Sequence, residues 1–213
     1  IAPYEILYTS HISYDEMLHL HLVEEMLERY YNSGRFTYSL EYLFTLFNTP
    51  FDLFSQIALF WERYEYNKIK HSKNAYYEIL LEFAKGQSNI DIVLMQELLR
   101  LDMFLHEKLK DTPQKLLTIN QEQYKSSIRK FYNEPGNIEY YLPQLKDYTI
   151  QQVGRMSHIE VFSVDIFSCI NTKTFSNISR KTTPILFNYH MRDPLTNNAT
   201  YYCIELDYNL ELS

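Results

Sequence analysis

Arg155-Met156-Ser157-His158-Ile159-Glu160-Val161-Phe162-Ser163-Val164-Asp165-Ile166-Phe167 is the stretch on which the fold class turns. Before it, apolar residues recur at helical steps. Within it they alternate, with Met156, Phe162, Val164 and Ile166 on one side and Ile159, Val161 and Phe167 on the other, the period of a strand. The alternation reads as a single strand of unusual length. Downstream, residues 184–190 and 200–206 read as two more strands, joined by a loop that holds Asp193-Pro194 and Asn197-Asn198. The three strands predict an antiparallel meander.

Upstream the chain is helical. Tyr14, Leu18, Leu22, Met26 and Tyr30 recur every four residues, opened by a Ser13/Glu16 capping box and stopped by Gly34. Further helices follow at Phe36 to Phe47, from Thr49-Pro50 through Trp61, at Ser72 to Lys85 before Gly86, and from about Ile90 to Lys110. After Pro113, residues 120–133 and 138–147 read as shorter helices flanking the Glu134-Pro135-Gly136-Asn137 turn. The expected class is therefore α+β, a predominantly α-helical N-terminal part packed with a small antiparallel C-terminal sheet. Residues 1–113 form the helical part and 114–213 the mixed part. With no Gly- or Ser-rich linker between them, the two are expected to share one core. The first residue is Ile1, and the expectation is a fragment of a longer chain.

Composition excludes several functions. The net charge of -7 gives no phosphate-backbone footprint, so no nucleic-acid partner is expected. Only 4 glycines leave no glycine-rich phosphate loop, whereas 20 Tyr and 13 Phe supply large packing surfaces. Cys169 and Cys203 match no metal or redox spacing and read as small hydrophobes in a reducing compartment. No apolar run approaches the roughly 20 residues of a membrane helix, and the start lacks a signal peptide's basic flank. The expectation is a cytoplasmic protein with no membrane partner.

Three groups of residues carry candidate chemistry. Asp102 falls near the apolar stripe of Met95, Leu98, Leu105 and Leu109, with His106 one turn on; they read as an acid/base or ligand pair, or more plainly as a structural ion pair. His158 and Glu160 interrupt the apolar side of the long strand, while Arg155 and Asp165 project to the other. They can line a pocket edge, or satisfy each other where the strand emerges. Arg192 and His190 stand where a polar mouth at the end of the sheet would form. Glu16-x-x-His19 has the spacing of a di-iron ligand pair but no second copy, so no metal is expected.

Pro3-Tyr4-Glu5-Ile6-Leu7-Tyr8-Thr9, Ile12-Ser13-Tyr14-Asp15-Glu16, Val23-Glu24-Glu25-Met26 and Tyr30-Tyr31-Asn32-Ser33-Gly34-Arg35-Phe36 together resemble one family. So do Pro50-Phe51-Asp52-Leu53-Phe54, Leu98-Leu99-Arg100-Leu101-Asp102 with Leu105-His106-Glu107-Lys108, the stretch Arg155 to Phe162 with Asp165, and Ile185-Leu186-Phe187-Asn188-Tyr189. The chain is similar, over nearly its whole length, to the C-terminal domain of unknown function in cobalamin-binding-type radical SAM proteins. Such parents are often labelled magnesium-protoporphyrin IX monomethyl ester oxidative cyclase, Fe-S oxidoreductase or methyltransferase. The resemblance implies an upstream cobalamin-binding domain and a radical SAM barrel as partners in the same chain. It also implies a 4Fe-4S cluster and S-adenosylmethionine in the parent, leaves open whether cobalamin is used, and places none of these cofactors in this sequence, which lacks the Cys-x-x-x-Cys-x-x-Cys motif.

The expectation is then a non-catalytic accessory domain that helps form or close the substrate pocket of the upstream barrel. Asp102, His106, Arg155, His158, Glu160 and Asp165 are expected to gather near one cleft. An aromatic-rich helical interaction or dimerisation module is the alternative, and a metal enzyme built on Glu16 and His19 is the third reading.

Overall fold

A computed structural model describes residues 12–207. The class is α+β: helices throughout and one three-stranded antiparallel sheet near the C-terminal end. The chain divides into two compact units, Ile1–Ile90 and Asp91–Ser213. The change of composition near Pro113 therefore falls inside the second unit. The long helix before it belongs with the sheet.

In the first unit, local cap chemistry sets each helix start. Helix α1 (Tyr14–Met26) opens at Ser13, whose Oγ accepts the Glu16 amide at 3.3 Å while the Glu16 carboxylate accepts the Ser13 amide at 2.8 Å. That backbone bond, aided by the Ser13 hydroxyl, holds the Glu16 carboxyl below its ordinary value. The helix widens into a π turn over Leu27–Asn32, in which Tyr30 is fully buried, and Gly34 follows in the left-handed region at φ 66°. Helix α2 (Thr37–Phe44) buries Leu40, Tyr42 and Leu43. Helix α3 (Pro50–Arg63) has Thr49 as cap and Pro50 in its first turn, and helix α4 (Lys73–Lys85) runs from the Ser72 cap to Gly86.

The buried stripe of α3, Leu53, Phe54, Ile57, Ala58 and Trp61, has the spacing of a helix with one face in a core. Trp61 is the hub. Its ring stacks on Tyr76 at 5.8 Å and 14°, its Nε1 donates to Tyr30 Oη at 3.2 Å, and the Arg29 guanidinium lies over it at 5.0 Å.

The second unit opens with helix α5 (Ile92–His106), capped by Asp91, which accepts the Leu94 amide at 3.1 Å. Every residue from Glu97 to Leu105 is buried, so this helix is covered nearly all round. Helices α6 (Lys125–Asn133), α7 (Pro135–Tyr141) and α8 (Ile150–Met156) follow. Strand β1 (Ser157–Phe162), helix α9 (Ile166–Thr172), and strands β2 (Thr183–Arg192) and β3 (Ala199–Cys203) complete it.

The strand order is β1-β2-β3, with His158 opposite Phe187, Ile159 opposite Leu186 and Glu160 opposite Ile185. Alternation sorts the two faces. Ile159, Val161 and Leu186 join Phe131, Leu142, Leu145 and Val153 of the α6–α8 side in one core. Residues of the other parity face α5, where Phe187 lies 5.7 Å from Phe104. On the outer edge of β1, the Gln121 side-chain amide donates to the Val161 carbonyl at 2.7 Å and accepts its N–H at 3.3 Å. One side chain thus completes that residue's ladder. In β2, Asn188 Oδ1 accepts the His190 and Met191 amides where the register to β3 shifts.

The single long strand is corrected. Arg155 and Met156 belong to α8, whose Thr149/Gln152 capping box commits those residues to helix before the strand begins. At the far end the Ser163 amide leaves the ladder for the Glu97 carboxylate, and Asp165 caps α9 instead of extending β1. Among the described residues, no helix is long and apolar enough to cross a membrane.

Candidate functional site

Charged side chains converge where α5 crosses β1. Glu97 and Arg100, one turn apart on α5, are both fully buried, and Arg100 donates to Glu97 Oε2 at 2.6 Å. Its other terminal nitrogen donates to Glu160 Oε1 and, at 2.9 Å, to the Val161 carbonyl. Glu160 Oε2 in turn lies 2.9 Å from His158 Nε2, and the His158 ring stacks flat on Phe104 at 4.6 Å and 11°. A flank of hydroxyls and one amide completes the set. Thr118 Oγ1 donates to Glu97 Oε1, which also accepts the Ser163 amide at 2.7 Å and the Ser163 hydroxyl at 2.6 Å. The face of Arg100 covers the Phe162 ring at 5.0 Å.

A carboxylate this deep survives only if its oxygens are satisfied and an opposite charge is at hand. Both conditions hold. Burial raises the Glu160 carboxyl, but the hydrogen bond from His158 and the adjacent Arg100 charge outweigh it and hold the group below its ordinary value of 4.5. The sign for stability follows from that depression. Glu160 stabilises the fold above its unfolded-state value, and the contribution is lost as pH falls through the depressed folded value. Glu160→Gln is expected to flatten the rise in unfolding free energy as pH is raised from strong acid toward 4.5. Urea titrations of both chains at several acid pH values check this, and parallel curves would remove Glu160 from the acid transition.

At the C-terminal end of α5, Tyr189 Oη lies 2.8 Å from the Phe104 carbonyl, and Arg192 donates to the His106 carbonyl at 3.0 Å. Lys108 Nζ donates to the carbonyls of Gly154 and, at 3.0 Å, Ser157. These groups close the ends of α5 and α8 by occupying backbone carbonyls. Burial drives the Tyr189 phenol far above its ordinary value, with Arg192 opposing.

Of the six sequence candidates, the structure brings His158 and Glu160 together. Asp102 is buried but lies two residues past Arg100, about 200° around the helix and away from the sheet. His106 shares that side of α5, one turn on. Arg155 is exposed on α8, and Asp165 accepts the Ser168 amide at 3.1 Å as the cap of α9. Glu97 and Arg100 were not singled out by sequence reading. The available signal was two opposite charges three apart on the most apolar helix; Thr118, Gln121 and Ser163 carry none. Glu16 is engaged in its capping box and His19 Nε2 lies 2.7 Å from Ser55 Oγ. Among the described residues, no three His, Cys, Asp or Glu side chains group as a metal site requires.

A family model described as protein of unknown function (DUF4080) matches residues 1–187. The chain belongs to the DUF4080 family. The match contains every residue of the Arg100 cluster, so the cluster lies inside the part of the chain that defines DUF4080. No curated protein and no solved structure matches the chain.

Chemically, the cluster is engaged at both carboxylate oxygens of Glu97 and at both terminal nitrogens of Arg100, while Arg100 Nε is buried without a hydrogen-bond partner. The Glu97 oxygens accept four hydrogen bonds, and the terminal nitrogens of Arg100 donate four. Of its charged or titratable side chains His158 reaches solvent most, 25% exposed, and Thr118 and Ser163 are partly exposed at the flank. Such an arrangement holds a helix to a strand more readily than it turns over a substrate.

Proposed function

We propose that this chain is a non-catalytic accessory module of a radical SAM enzyme, helping to form or close the substrate pocket of an upstream barrel. The observation that carries the reading is that Glu97, Arg100, Glu160 and His158 use their hydrogen bonds on one another and on neighbouring backbone. The buried charges bind each other across α5 and β1 and fasten the helix to the sheet, and in this reading the unit serves as a wall. The sequence resemblance to C-terminal domains of radical SAM proteins supplies the context. A wall of this kind acts by positioning substrate and excluding water while the cofactors of the barrel supply the reaction.

The test uses the longer parent chain, purified without oxygen, with and without residues 1–213. Both forms are expected to hold an iron–sulfur cluster and to cleave S-adenosylmethionine with reductant. The shortened form is expected to lose coupling of that cleavage to substrate turnover. No cluster and no cleavage in either form overturns the radical SAM context, and unchanged coupling overturns the pocket-closing role.

A second reading, an interaction or dimerisation module, is favoured by α1. Tyr14 and Leu18, one turn apart, are both exposed, as is Leu20. Sedimentation of the chain over a range of concentrations separates this reading from the first.

A further inference from the structure

Asp52, Gln56, Leu59 and Arg63 recur on α3 at i, i+4, i+7 and i+11, a single stripe on the side away from Leu53, Ile57 and Trp61. Two open cavities of about 400 and 480 Å³ lie along this stripe and adjoin at Gln56 and Gln87, which line both; the pair is termed the groove. One end is polar and includes Asp52 and Asn48. The other is walled by Phe60, Tyr64 and Phe83, and Arg63 stands at its rim. Leu59 and Tyr64 are 52% and 56% exposed there and line the same cavity, so a ligand in it would cover both.

The ends of the groove carry opposite charges. Among the described residues, neither the Asp52 carboxylate nor the Arg63 guanidinium is in an ion pair. The helix dipole favours an acid at the start of α3 and a base at its end. It does not account for exposed Leu59 between them or exposed Tyr64 just past Arg63. Eleven residues of helix place the two charges about 16 Å apart along the axis. An extended chain covers that span in about five residue steps. The two glutamine amides in the middle offer donors and acceptors to a peptide main chain. A docked helix, whose backbone is satisfied internally, would leave them without that use.

We propose that this groove binds an extended segment of a partner protein. The segment carries a basic residue at the Asp52 end, apolar residues in the middle and an acidic residue, five positions from the basic one, at the Arg63 end. The inference stands independently of the radical SAM reading, because it rests on this groove alone.

The test is a heteronuclear NMR titration of the 213-residue chain with three end-blocked hexapeptides: Lys-Ser-Thr-Leu-Phe-Glu, the same with Lys in place of the final Glu, and the same with Glu in place of the first Lys. The mixed-charge peptide is expected to bind about tenfold tighter than either like-charged one, and to weaken with added salt. The Gln56 and Gln87 side-chain amides are expected to shift. In Arg63→Glu both ends of the groove are acidic, and preference is expected to pass to the doubly basic peptide. Arg63 is exposed on the last turn of α3, so the variant keeps the fold. Absence of shifts at millimolar peptide, shifts away from the groove, or an unchanged preference in Arg63→Glu overturns the proposal.

Discussion

Arg100→Met is expected to lower the unfolding free energy by about 3–5 kcal/mol, the range for removing one partner of a buried ion pair. Methionine matches the stem of arginine in length, so little of the loss comes from packing. The loss comes from Glu97 and Glu160, which remain buried without the guanidinium that joined them. Urea unfolding followed by far-UV circular dichroism gives the number. Combining Arg100→Met with Glu160→Gln is expected to recover part of it, because a neutral amide is less expensive to bury than a carboxylate. A single-variant loss within about 1 kcal/mol would mean that water reaches the carboxylates when the guanidinium leaves.

Trp61→Ala is the second large effect, also about 3–5 kcal/mol. Trp61 is fully buried between the Tyr76 ring and the Arg29 guanidinium. Alanine leaves a void bounded by rings that cannot collapse into it without leaving their own contacts, and it removes the donor to Tyr30 Oη. Trp61→Phe is expected to retain more than half of the lost stability, since an aromatic ring still fills most of the space. Equal losses in the two variants, measured by the same urea titration, would assign the effect to the Nε1 hydrogen bond instead of to volume.

The helix starts of the first unit were legible in the sequence because caps are local. Ser13 with Glu16 and Thr49 with Pro50 each announce a start within four residues, Ser72 and Gly86 mark the two ends of a third helix, and the structure places helices there. The start of β1 was not legible in the same way. Alternation continues backward through Met156, and only the Thr149/Gln152 pair marks that Arg155 and Met156 belong to a helix. The candidate site was half legible. His158 and Glu160 stood out as polar residues on an apolar side of a strand. Their central partner did not, because Arg100 and Glu160 are 60 residues apart and no local pattern joins them. The place of α5 was hidden for a related reason. Its apolar pattern matches the helices before it, and only the tertiary partners of Arg100 and Phe104 tie it to the sheet.

The chain has one tryptophan, and it lies at the hub of the first unit, whereas the Arg100 cluster belongs to the second. Its fluorescence is therefore a built-in optical reporter for one unit alone. In Arg100→Met, any displacement of the emission-detected midpoint measures how far damage in the second unit is felt by the first. A midpoint that stays in place while the circular-dichroism curve splits in two would make each unit its own cooperative block.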